Sequence, residues 1–243
     1  MSEHRFYVGD GLLASAGPVV EVTLMAEPAH RISRVLHLRE GERVALLGDG
    51  REFEAVLTEV GKNVRARLEA ELPAEEPPGL SLTLYQALIR PNRFEWLIEK
   101  GTELGVRQFV PIVTERTTVR ATEIGASRQE RWRRIAVEAT EQCGRHRPPA
   151  LLPPIDYAKA LELAVGTRVL AWEGLRSNTE SQPSGVRPPI SGHLSLFIGP
   201  EGGWSPTEID TARGAGASFM PLGPTILRAE TAAIVAATLL LLG

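Results

Sequence analysis

The chain has 243 residues, 43% hydrophobic and 23% charged, with a formal net charge of −3, a profile that allows one large or two small globular domains with ample core. Such a charge excludes general attraction to a polyanion, so any nucleic-acid contact must come from local basic patches. The single cysteine, Cys143, excludes an internal disulfide and a cysteine zinc cluster, and the five histidines are scattered.

Taken in chain order, the first seventy or so residues read as β-rich. Apolar-rich runs at 43–47 and 51–57 flank Gly48-Asp49-Gly50, and Asp-Gly between such runs predicts a hairpin because the tight turn needs positive φ. An alternating run at 63–72 adds a third strand, and residues 30–36 predict a short helix. Together they suggest a small barrel or sandwich over 1–72. Residues 73–79, reading PAEEPPG, form a proline-rich break taken as the interdomain linker.

Beyond it, over 80–243, strands alternate with helices. Strands are predicted at 80–89, 109–113, 169–173, 194–198 and 219–222. Asn92 with Glu95, and Ser127 with Glu130, have the spacing of capping boxes. Asp156 offers a further cap. Ser205-Pro206-Thr207-Glu208 combines a capping box with proline at the first helical position. A Ser/Pro/Gly-rich loop separates the strands at 169–173 and 194–198. The apolar run 231–242 is too short to span a bilayer and reads as a buried last helix. With no charged-then-apolar leader at the N-terminus, the chain reads as cytoplasmic. This alternation argues for a mostly parallel α/β sheet.

Three segments at the carboxyl ends of predicted strands stand out, where open α/β sheets bind ligands. They are LAWEG at 170–174, IGPEGGW at 198–204 and LGPTILRAETA at 222–232. Glycines 199, 202 and 203 permit close approach of backbone to a ligand, and a side chain at Gly202 would obstruct it. No GxxxxGK[ST] or well-placed GxGxxG accompanies them, which argues against a phosphate cradle.

GPEGG after an apolar strand, followed by LGPTILRAETA opening the last helix, resembles the SPOUT methyltransferases. In particular it is similar to the 16S ribosomal RNA uracil(1498)-N3-methyltransferase family. The resemblance extends to RFEWLIEKGTELGV at 93–106, TERT at 114–117 and EATEQCGR at 138–145. At the N-terminus it includes HRFYV at 4–8 and HRISRVLHLREGERVALLGDG at 30–50. Departures from the family's usual residues fall at Gly101, Cys143 and Pro224-Thr225, none a presumed ligand group.

The resemblance implies an α/β fold in which a trefoil-knotted, mostly parallel sheet domain follows a PUA-like β-barrel that binds RNA. It implies S-adenosylmethionine as cofactor, 16S rRNA within the small ribosomal subunit as partner, and a homodimer whose second subunit completes the active site. Neither metal nor membrane is implied. The cofactor residues it implies are Leu170, Trp172 and Glu173 in the first loop, and Ile198, Gly199, Pro200, Glu201 and Gly202 in the second. Leu222, Gly223, Ile226, Leu227, Arg228, Thr231 and Ala232 follow in the third.

Arg228 and Glu201 are the candidate catalytic residues. Arg228 stays cationic at ordinary pH and suits an anionic uracil ring, or else it pairs with Glu230. Glu201 is a candidate proton acceptor, or else it caps backbone. Arg5, Arg31, Arg90, Arg93 and Arg145 are candidates for RNA phosphates, each against the alternative of a solvated surface. The run Arg128, Arg131, Arg133, Arg134 reads as a solvated helix face. Two rival functions remain at this point: a ribose 2′-O-methyltransferase of the same class, and a non-catalytic RNA-binding or ribosome-assembly factor.

Overall fold

Asp49 and Gly50 both take positive φ, 56° and 75°, and so turn β3 (Arg43–Gly48) back onto β4 (Arg51–Val60) as a tight hairpin. The computed structural model describes residues 4–73, 79–174 and 192–242, and these form two compact units, Met1–Glu76 with Val137–Pro148, and Pro77–Ala136 with Pro149–Gly243. Most of the predicted linker, 74–78, and most of the Ser/Pro/Gly-rich loop, 175–191, lie outside the described residues.

In the first unit β1 (Arg5–Tyr7) and β2 (Glu21–Leu24) precede the hairpin, and β5 (Val64–Leu72) follows it. The sheet order is β1-β3-β4-β5-β2. Only β1–β3 is parallel. β1 and β2 end the order without pairing to each other, so the expected barrel is not closed by hydrogen bonds among the described residues. The predicted helix at 30–36 starts earlier, as α1 (Ala26–His30), and runs on into one π-helical turn over Arg31–Val35. Phe6, Ile32, Leu46, Phe53, Leu57 and Leu68 fill the core.

Residues 137–148 belong to this unit through buried polar contacts. Glu141 accepts from the Tyr7 N–H at 2.8 Å and pairs with Arg31 at 2.7 Å. Glu52 pairs with Arg5 at 2.6 Å and lies 3.0 Å from His146 Nε2. Arg147 donates to the Asp49 carbonyl at 2.7 Å, its guanidinium occupying the space a side chain at Gly50 would need.

The second unit begins with β6 (Leu80–Ala87), α2 (Pro91–Glu103) and β7 (Gln108–Val113). Asn92 is not the cap of α2: Arg90 is, without a side-chain bond, because Pro91 with its fixed φ fits the first helical position. α3 (Ala126–Cys143) likewise starts one residue before Ser127, which removes the expected capping box. β8 (Ala150–Leu151), β9 (Ile155–Asp156), α4 (Tyr157–Leu163), β10 (Thr167–Ala171), β11 (Gly192–Ile198), α5 (Pro206–Gly214), β12 (Ser218–Met220) and α6 (Ala229–Leu241) complete it. Asp156 stands at the N-cap of α4 but makes no side-chain cap bond.

The sheet order is β12-β10-β11-β6-β7-β8, with β9 also on β7, and every pairing is parallel. β8 pairs with Gln108 and Phe109, and β9 with Ile112 and Val113. Pro111, which lacks an N–H, therefore falls where the neighbouring strand is interrupted. Side chains alternate between two cores. Val169, Leu84 and Leu196 pack with Ala233, Ala236 and Leu240 of α6. Leu170, Tyr85 and Phe197 pack with Tyr157 of α4 and Ile209 of α5. Burial on both faces explains the near-continuous apolar strands of the sequence. Because all strands run one way, their carboxyl ends share one edge of the sheet.

Candidate active site

The loops that follow β10, β11 and β12 emerge side by side at that edge, since these three strands are neighbours. They enclose a cavity of about 260 Å³, near the lower end of the roughly 300–1,000 Å³ of small-molecule sites. Trp172 and Glu173 line it from the first loop, and Ile198, Gly199, Pro200, Glu201, Gly203 and Trp204 from the second. Leu222, Gly223, Thr225, Ile226, Leu227 and Arg228 line it from the third, with Ala229 and Ala232 of α6. Of the expected cofactor residues, Leu170, Gly202 and Thr231 are not in this lining. Leu170 points into the α4/α5 core, Thr231 lies on the exposed side of α6, and Gly202 packs against Arg116.

Trp204 organises the second loop. Its indole N–H donates to the Ala171 carbonyl at 2.9 Å, tying the loops after β10 and β11 together. A side chain on Gly199 would lie 3.1 Å from that indole, so glycine there lets the tryptophan pack closely against the loop backbone. Residue-type reasoning missed Trp204, although a tryptophan beside a strand end, with an N–H needing a partner, is a readable signal.

Behind the loop, Glu208 is buried and makes the capping box of α5 with Ser205, accepting the Ser205 N–H at 2.8 Å. Its other oxygen accepts the Glu115 N–H at 2.9 Å, and Arg116 donates to the Gly202 carbonyl at 3.0 Å. The TERT segment thus buttresses the glycine loop. Tyr157 donates to the Glu208 carbonyl at 3.0 Å. Burial above all, with Glu208 nearby, holds its phenol well above the ordinary range, so it remains a donor.

Within this loop the left-handed backbone is at Gly203, φ 67°, where an added side chain would also meet Glu173 at 2.7 Å. Glu173 is a flexible side chain that can move aside; the backbone cannot. Gly203→Val should leave the fold intact yet weaken ligand binding about tenfold, since left-handed φ costs a branched residue roughly 1–2 kcal/mol. Calorimetry on the folded variant checks this, and unchanged affinity would count against the role given to the loop.

The cavity holds two carboxylates, Glu173 and Glu201, and one guanidinium, Arg228. Arg228 is exposed at the N-cap of α6, and among the described residues it has no ion-pair partner. The pairing with Glu230 is therefore not made: Glu230 lies 3.7 Å from Arg93 instead. Arg93 also lies 3.6 Å from Glu201. Among the described residues no hydrogen bond within the chain engages the backbone N–H of Leu222, Ile226 or Leu227, leaving these donors for a ligand or water. No group of three metal-ligating side chains occurs among the described residues, and no helix there is long and apolar enough to cross a membrane.

The candidate RNA residues separate. Arg5 and Arg31 are ion-paired to the buried carboxylates Glu52 and Glu141, and Arg31 also lies over the Phe6 ring. Arg90 is exposed and Arg145 half-buried. In the α3 run, Arg131 pairs with Glu95 at 2.7 Å and Arg133 with Glu130 at 3.2 Å.

Comparison with known proteins shows what the chain is similar to. Residues 75–241 match the model of the RNA methyltransferase domain. Ribosomal RNA small subunit methyltransferase E of Synechocystis is 33% identical over 97% of this chain and 78% of its own length. The Bacillus subtilis protein of that name is 30% identical over 88% and 87%. The Neisseria gonorrhoeae enzyme of the same name, solved bound to S-adenosyl methionine, superposes with a TM-score of 0.83 at 31% identity, over 97% of this chain and 95% of that one. A Legionella pneumophila structure with bound cofactor SAM gives 0.86 at 31% identity over 97% and 96%. With a family model covering well over half its length and relatives matched nearly end to end, the chain belongs to the RNA methyltransferases, in the ribosomal RNA small subunit methyltransferase E family.

Proposed function

We propose that this protein methylates N3 of a uridine in the 16S rRNA of the small ribosomal subunit, with S-adenosylmethionine as donor, in the cytoplasm. The observation that carries this reading is the Arg228 guanidinium, without an ion-pair partner among the described residues, on the wall of a cavity lined by apolar side chains, two carboxylates and open backbone donors. The residues fit the cofactor. Ile198, Ile226 and Leu227 offer apolar walls to a flat heterocycle, and the N–H groups of Leu222, Ile226 and Leu227 can read its edge. Two carboxylates against one guanidinium suit a ligand with a cationic centre.

When bound, the sulfonium supplies an electrophilic methyl group, so the chain's own task is to prepare N3. That nitrogen carries a proton, which must leave before its lone pair can attack. Arg228 stabilises the negative charge that develops on the ring carbonyls. Glu201, which lines the cavity, is the proton acceptor of this reading, acting directly or through water. Arg90 and Arg145 are the phosphate contacts of this reading, and the sheet of the first unit serves as the PUA-like RNA-binding element. The trefoil knot belongs to it too: the chain leaves β12 at one edge of the sheet, yet α6 packs back over β11 and β6.

A homodimer is the further part of the reading. Val235, Leu239 and Leu242 continue a stripe along α6 with Thr231 and Thr238, and Leu239 and Leu242 are 47% and 69% exposed. Leu239→Glu should weaken self-association at least a hundredfold, because an unpaired buried charge costs about 3 kcal/mol or more. Sedimentation gives the answer, and a parent protein that is monomeric at working concentration removes the dimer from the reading.

To test the activity, small subunits lacking the modification are incubated with the protein and methyl-labelled cofactor, and the nucleosides are analysed. Labelled 3-methyluridine is expected. A ribose-methylated nucleoside would mean the rival chemistry, and no label would leave an RNA-binding factor.

A further inference from the structure

We infer that Arg93 is a positioning residue that braces the two walls of the cavity rather than a contact for RNA phosphate. For the identity of the ligand this rests on the cofactor reading above; for the brace itself it does not. Arg93 stands in the first turn of α2, anchored by the buried Phe94 beside it and by its own N–H on the Arg90 carbonyl at 3.0 Å. From there its guanidinium reaches two carboxylates, one on a loop and one on a helix. Glu201, on the loop after β11, lies 3.6 Å from Nη1, and Glu230, in the first turn of α6, lies 3.7 Å from Nε. One cation is shared by both walls.

Burial makes the arrangement consequential. The Glu230 side chain is only 11% exposed, and its Oε2 has no hydrogen-bond partner. A buried carboxylate so poorly paired depends on the nearest cation and on the partial positive charge at the start of α6. Arg93 is that cation, so the charge that stabilises Glu230 also attracts Glu201. Both distances exceed the 2.7–2.9 Å of a charge-assisted hydrogen bond, so neither carboxylate saturates the guanidinium. Arg116 secures the same loop elsewhere, at the Gly202 carbonyl. An arginine held between two protein carboxylates is also poorly placed to bind a phosphate, whose charge they would oppose.

The test uses the full chain as Arg93→Ala, Arg93→Lys and the double variant Arg93→Ala/Glu230→Gln. The double variant removes the buried charge that could keep the single variant from folding. Three quantities are read: amide exchange of residues 199–204 without cofactor, affinity for S-adenosylmethionine, and affinity for a 16S rRNA fragment against salt. Arg93→Ala, or the double variant if the single one does not fold, should speed exchange in 199–204 about tenfold or more and weaken cofactor binding about tenfold. The salt slope of RNA binding should not change. Arg93→Lys should recover part of both losses, since it keeps the charge without the planar fork. Unchanged exchange in 199–204 overturns the brace. So does a salt slope shallower by about one with cofactor affinity intact, the signature of a lost phosphate contact. If exchange responds but the parent protein does not bind S-adenosylmethionine, the brace stands and the cofactor reading falls.

Discussion

Arg228→Ala is expected to lower the single-turnover rate of methyl transfer about a hundredfold while leaving cofactor affinity nearly unchanged, as loss of one preorganised charge-stabilising contact does. Stability should hardly move. The side chain is exposed, makes no cap bond to α6 and has no ion-pair partner among the described residues, so its removal strands nothing. That freedom from structural duty separates Arg228 from Arg93, Arg5 and Arg31. Arg228→Lys should recover little, because a point charge cannot present two in-plane donors to a ring carbonyl. Single-turnover kinetics on small-subunit particles, with calorimetry alongside, checks this. Normal chemistry with weakened cofactor binding would make Arg228 a cofactor-holding residue and leave the ring anion without a protein cation.

Arg31→Ala should cost about 3 kcal/mol of stability, the lower end for breaking a buried pair by removing one partner. The stranded group is Glu141, whose side chain is 5% exposed and which, among the described residues, keeps only the Tyr7 N–H as a side-chain hydrogen-bond partner. Burial already pushes the Glu141 carboxyl above its ordinary range, outweighing the opposing effects of the Tyr7 N–H and Arg31, and loss of Arg31 pushes it further. A carboxyl raised on folding contributes stability that is complete below its ordinary pKa and is lost as pH rises through the folded value. The deficit of the variant should therefore grow from mildly acid to neutral pH, and Glu141→Gln added to it should recover much of the loss. Urea denaturation across that pH range is the measurement. A pH-independent deficit would mean that Glu141 is not the stranded charge, and an unchanged stability with weakened RNA binding would return Arg31 to the RNA surface.

Where the sequence succeeded, the determinants were short-range. Asp49-Gly50 makes its turn because two adjacent residues accept positive φ. Ser205 and Glu208 cap α5 across three residues. Where capping spacing alone was followed, at Asn92 and Ser127, it failed, because Pro91 and the residue before Ser127 start their helices first. The cavity loops were legible for a related reason. In a parallel sheet every strand ends at the same edge, so the apolar runs ending at Ala171 and Ile198 and the short run before Leu222 already mark where a ligand can sit.

Side-chain charge was another matter. Arg5, Arg31, Arg93 and Arg228 look alike in a linear chain, each a cation beside apolar neighbours. The fold gives Arg5 a carboxylate 47 residues away and Arg31 one 110 residues away. It gives Arg93 two carboxylates and Arg228 none among the described residues. Local sequence determines backbone conformation and which faces are apolar, because φ preferences, caps and side-chain periodicity act within a few residues. Coulomb attraction and desolvation depend on distance and burial in space, so only the tertiary structure decided which of these arginines pair with carboxylates of their own protein and which one, Arg228, has no such partner among the described residues.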